Sequence, residues 1–158
     1  MMQNIVKKYG NQVRLVHRSF ANAQNPQTEK AAEAALCAGE QGRFWEMNNL
    51  LFQTGHLELR DLIALAAALG LQSESFNSCL DSGRYATRVN KDLYAAAGLG
   101  VTITPALFVN GRSIQSPRST DEVAKVIEEE LYGPSRLAKT SDNNSRGQSA
   151  QNTPGSRK

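Results

Sequence analysis

Two cysteines, Cys37 and Cys79, are the residues of this 158-residue chain best suited to covalent chemistry. A thiol attacks only as its thiolate, which a helix N-terminus or a neighbouring cation stabilises. Both cysteines fall inside stretches whose spacing predicts helix, 42 positions apart. Cys79 shares an apolar helical face with Phe76 and Leu80, the setting of an inert packed thiol. No His, Lys or Arg lies one helical turn from Cys37. Three readings remain open: buried free thiols, a structural disulfide, or a redox-active pair. A disulfide across that loop would be worth roughly 4 kcal/mol by chain entropy and needs an oxidising compartment.

Thr104-Pro105 is the second feature with chemical content. Proline lowers the cost of a cis peptide to about 0.5–1 kcal/mol, so a sharp turn can be built there. Such a turn leaves the Thr104 backbone beside a strand, ready to pair with a passing chain. The alternative is an ordinary trans loop. His17, in a predicted strand, and His56, in a predicted turn, have no Cys or carboxylate at ligand spacing, so neither receives a metal or catalytic role. Trp45 beside Phe44 reads as core packing. No Gly-rich phosphate loop, Ser-His-Asp set or zinc spacing occurs, and no metal or cofactor is expected.

The elements that must position these residues follow from periodicity. Met2, Ile5, Val6 and Tyr9 form a helical stripe ending at Gly10. Residues 13–20 are rich in β-branched and apolar side chains and predict a strand. Helices are expected over about 28–38 and about 42–53, then around Leu62–Leu69 with Gly70 as its stop. Two more follow around Phe76–Leu80, with Ser73 as N-cap, and along Tyr85, Val89, Leu93 and Ala96. Ala106-Leu107-Phe108-Val109 reads as a strand entering a tight turn at Asn110-Gly111, with Arg112-Ser113-Ile114 as its partner. Ser119-Thr120-Asp121-Glu122 predicts a capping box before a last helix.

Charge separates the chain into two regions. Residues 133–158 carry five basic side chains against Asp142, while the other 132 residues hold 13 basic and 14 acidic groups. The tail has Leu137 as its one large apolar residue, which predicts disorder. The expected domain is therefore residues 1–132. A nucleic-acid binder would cluster its basic residues on structured elements with aromatics, so no nucleic-acid partner is expected. No stretch approaches the roughly 20 apolar residues of a membrane span. The N-terminus shows no apolar signal region, which for the chain as written implies the cytoplasm.

The order helix, strand, helical block, hairpin, helix resembles the DsbA-like branch of the thioredoxin fold: α/β, with an α-helical insertion. Residues 34–47, AALCAGEQGRFWEM, look like the opening of that insertion. Residues 79–85, CLDSGRY, look like a joint between two later insertion helices, and residues 100–111, GVTITPALFVNG, are similar to the loop and hairpin that follow. The resemblance covers most of residues 5–130. It implies a cis Pro105, with Thr104 and Pro105 binding extended peptide or protein thiol substrates, and an extracytoplasmic or periplasmic setting for full-length members.

That family's chemistry depends on a Cys-x-x-Cys at the start of the first helix, where the helix dipole favours a thiolate. No such pair occurs here, and the resemblance implies that the family's first strand and its Cys-x-x-Cys turn precede residue 1. The first strand is central in the family's sheet, so the implied state is a marginally folded chain with an incomplete sheet. A cooperative thermal transition above about 60 °C would contradict it. The expected function is that of a DsbA-family thiol–disulfide oxidoreductase, inactive in this chain for want of the pair. The alternatives are a redox-silent module that binds peptides or accepts a strand from a partner, and a non-functional remnant.

Overall fold

The computed structural model describes residues 2–21 and 25–133. In chain order the elements are α1 (Met2–Tyr9), a 3-10 turn (Gly10–Gln12), α2 (Pro26–Glu40), α3 (Phe44–Thr54), α4 (Leu59–Ala68), α5 (Ser73–Asp81), α6 (Ala86–Gly98), β1 (Ala106–Val109), β2 (Arg112–Gln115) and α7 (Thr120–Tyr132). They divide into two compact units. Among the described residues, one is built from residues 2–15 and 103–133, the other from residues 16–21 and 25–102. Apart from Gly133, the expected disordered tail lies outside the described residues.

The first unit packs one face of a hairpin against two helices. β1 and β2 pair antiparallel with Leu107 opposite Ile114 and Phe108 opposite Ser113. Asn110 and Gly111 both take positive φ, 48° and 88°, the geometry that a two-residue primed turn demands. Period-2 alternation then sends Leu107, Val109 and Ile114 to the helical side, against Ile5, Tyr9, Val123, Ala124 and Ile127. Phe108 faces away and is exposed. Arg112 ties the hairpin to α7 through Glu129 at 2.8 Å and Glu130 at 3.3 Å. The Tyr9 hydroxyl donates to Glu128 at 2.7 Å, and Lys8 reaches the same carboxylate at 2.9 Å. These two bonds hold the Glu128 carboxyl below its ordinary pKa.

The second unit is the helical block. Ala31, Ala34, Ala35 and Ala38 present a small-residue face on α2, close enough for Met47, Leu62, Phe76 and Leu80 to close around it as one core. Asn25 caps α2, its side chain accepting from the Gln27 N–H at 3.0 Å, and Pro26 occupies the first helical position, where no N–H is needed. Gly70, at φ 70°, ends α4 as its position in the sequence implies.

Several expectations need correction. Residues 13–20 do not join a sheet: among the described residues the only ladder is β1 with β2. Exposure still alternates along the segment, with Val13, Leu15, His17 and Ser19 covered and Arg14, Val16, Arg18 and Phe20 exposed. The sequence thus encodes an extended segment with one covered face, but a ladder also needs a second strand, and no described residues supply one. Ser73 is the first residue of α5 rather than its cap; Gln72 holds that place without a side-chain bond. At α7, Ser119 accepts from the Glu122 N–H as a capping box requires, but the Glu122 carboxylate bonds the Arg118 N–H in place of Ser119. Trp45 is 42% exposed instead of packed in the core, because Met47 and Phe44 turn toward α2 and leave it at the edge.

Candidate functional site

Thr104 and Pro105 sit at the entry to β1, joined by a cis peptide bond. Both are exposed, and Ile103 before them is 53% exposed. The Pro105 carbonyl accepts from the Ser116 N–H at 3.1 Å, which fixes the turn to the far end of the hairpin. Among the described residues Thr104 has no hydrogen-bond partner, and β1 pairs along one edge only. An unpaired main chain that runs into a strand with a free edge can pair with an extended segment.

The cysteines lie in the other unit. Cys37 of α2 and Cys79 of α5 form a disulfide with their Cα atoms 5.8 Å apart, and no free cysteine remains. Both residues are 1% exposed, enclosed by the alanines of α2 and by Phe76 and Leu80. Of the three readings left open by the sequence, the bonded one is the arrangement present. A sulfur in that setting offers an incoming thiolate no line of approach.

His17 and His56 part company. His56 is exposed. His17 is half-buried beside Phe44 and Trp45, with ring centroids 5.5 and 6.4 Å away. Burial lowers its pKa below the ordinary value near 6.5, and the Asp92 carboxylate acts in the opposite sense with smaller effect. A histidine whose folded-state pKa is depressed contributes stability above its unfolded pKa and loses it as the pH falls. We therefore expect the urea midpoint to fall between pH 7.5 and pH 5, and His17→Gln to remove part of that fall. Parallel pH profiles for the two proteins would show the imidazole to be uninvolved. Among the described residues no group of His, Cys, Asp or Glu is placed to hold a metal ion.

Asp92 is a residue that the sequence reading missed. It is 7% exposed, and its carboxylate accepts from the Arg18 guanidinium at 2.9 Å and from the Ser19 main-chain N–H at 3.2 Å. It thereby fastens the extended segment to α6. The signal was its register: Val89, Asp92 and Ala96 lie three and four apart, which puts a carboxylate on the apolar stripe of the helix. Glu33, 3% exposed, is a second buried acid, paired with Lys30 at 3.1 Å; the same Lys30 ammonium donates to the Leu80 carbonyl at 2.9 Å.

Comparison with known proteins agrees with the element order. The Thioredoxin family model matches residues 1–129. A solved thioredoxin-like oxidoreductase from Silicibacter pomeroyi DSS-3 superposes with a TM-score of 0.73 at 20% identity, over 82% of this chain and 75% of that one. At that identity the likeness is one of fold. Among sequence relatives, a protein named Na(+)/H(+) antiporter NhaA from Herminiimonas arsenicoxydans is 36% identical over 126 residues, 79% of this chain and 20% of that protein. Na(+)/H(+) antiporter NhaA 1 of Salinispora arenicola is 43% identical over 89 residues, 56% of this chain and 14% of that protein. This chain thus spans a fifth or less of the length of these relatives. With an insertion of helices between α1 and a short antiparallel hairpin, and a family match across nearly all the described residues, the chain belongs to the thioredoxin family and has a thioredoxin-like fold.

Proposed function

We propose that the chain is a DsbA-like member of the family that binds extended peptides along the Thr104–Pro105 edge. In this reading the 158 residues hold no thiol able to exchange disulfides. The observation that carries it is the state of the two cysteines, joined to each other and buried in the helical unit, with no Cys-x-x-Cys elsewhere. The exposed, unpartnered Thr104 supplies the binding half. The DsbA-like assignment draws support from the five helices inserted between residues 26 and 98 and from the motifs at 34–47, 79–85 and 100–111. Ion transport, named in the relatives, forms no part of the proposal for these residues, whose described helices include none long and apolar enough to cross a membrane.

A second reading, thiol–disulfide oxidoreductase activity for the lineage, draws on the structural neighbour, a thioredoxin-like oxidoreductase. It requires a Cys-x-x-Cys at a helix start, which these residues do not contain.

Titration of the ¹⁵N-labelled protein with S-carboxymethylated insulin B chain tests the binding proposal. Saturable shifts of the Ile103, Thr104 and Ala106 amides are expected. Unmoved amides at millimolar peptide would refute the binding edge.

A further inference from the structure

We propose that the chain is itself a substrate of disulfide formation, and that an outside disulfide donor joins Cys37 to Cys79 before the helical unit closes. The sealed pair carries this inference, and the Thr104–Pro105 edge has no part in it. Making the bond by exchange takes a thiolate and a clear approach to the donor's sulfurs. The folded unit withholds both. Ala34, Ala38, Met47, Leu62, Phe76 and Leu80 form one core with the two cysteines, each of which is 1% exposed.

The local charges oppose a thiolate in the same place. Cys37 lies in the last turn of α2, which ends at Glu40, and Cys79 in the last turn of α5, which ends at Asp81. That turn is the negative end of a helix dipole, where an anion is disfavoured; thiols built for exchange occupy the opposite end. Glu33 and Glu40 stand one turn to either side of Cys37, and no His, Lys or Arg stands one turn from either cysteine. The Lys30 ammonium, two turns from Cys37, is already engaged by the buried Glu33 and by the Leu80 carbonyl.

In the unfolded chain these obstacles are absent. One cysteine, as its thiolate, attacks the donor disulfide, forming a mixed disulfide and expelling one donor thiolate. The other cysteine then attacks the chain's own sulfur in that mixed disulfide. This closes the Cys37–Cys79 bond and expels the second donor thiolate. The chain loses two electrons and two protons, and the donor is reduced to two thiols. The donor is a protein or small-molecule disulfide, so the step belongs to an oxidising compartment. Once α2 and α5 pack, the same barriers shield the finished bond from reductants.

The test takes the full chain, reduced in urea and freed of reductant, with glutathione disulfide as the donor. In one arm the donor is added in urea; in the other, at the same pH, after dilution has restored the helical circular dichroism. Alkylation and mass spectrometry follow the free thiols with time. Oxidation of the refolded dithiol is expected to be at least about ten-fold slower, since it waits on opening of the core. Sub-denaturing urea is expected to speed it, and Leu62→Ala, which loosens that core, to speed this arm alone. A reduced chain that regains its helices only after the donor is added would equally place oxidation before closure. A smaller difference between the arms would overturn the proposal, as would a refolded arm whose rate ignores both urea and Leu62→Ala. Either result leaves the peptide-binding edge untouched, because that edge is read by amide shifts and not by thiol oxidation.

Discussion

Replacing both Cys37 and Cys79 by alanine is expected to lower unfolding stability by about 4 kcal/mol, the loop-closure entropy that a 42-residue link removes from the unfolded chain. Small domains have only about 5–15 kcal/mol in total, so the effect is a large share of what holds the helical unit together. The bond joins α2 to α5 through the centre of the core, where both cysteines pack beside Phe76 and Leu80. Alanine is the proper replacement, since serine would add a buried hydroxyl to the comparison. Urea denaturation of the wild type and the double variant measures the difference; agreement within about 1 kcal/mol would show that the link contributes little. Burial adds a kinetic expectation: dithiothreitol should reduce the folded protein slowly and the urea-unfolded protein at once.

Asp92→Ala is expected to cost about 2 kcal/mol, because it strips a buried main-chain N–H at Ser19 of its acceptor. Arg18→Ala should cost under about 1 kcal/mol, since that guanidinium is largely in water and an exposed ion pair contributes little. The ordering of the two variants separates the main-chain bond from the ion pair. A second readout follows from the same carboxylate. Asp92 partly offsets the effect of burial on His17, so Asp92→Asn should lower the imidazole pKa further, as followed by NMR titration. An unchanged or raised His17 pKa, or equal costs for the two alanine variants, would contradict the account.

The helices were legible because their information is local. Apolar residues at three- and four-residue spacing, Gly70 as a stop and Asn110-Gly111 as a turn each act within a few positions, and the structure follows them. What escaped the sequence was non-local. The partner of Cys37 lies on another helix, and the ligand of the Ser19 N–H lies 73 positions away. Residues 13–20 carry the composition and the alternating exposure of a strand, yet pairing belongs to two segments and cannot be read from one. Trp45 shows the same limit: an aromatic pair announces apolar surface, but which of two adjacent rings points inward depends on where α2 lies.

The central claim is that these residues fold around a sealed disulfide and present no exchangeable thiol. The direct measurement is the rate of insulin reduction by dithiothreitol with and without the purified chain. The account predicts the background rate, for the wild type and for the Cys37→Ala, Cys79→Ala double variant alike. A rate above background that disappears in the double variant would contradict it, by showing that a buried sulfur does exchange.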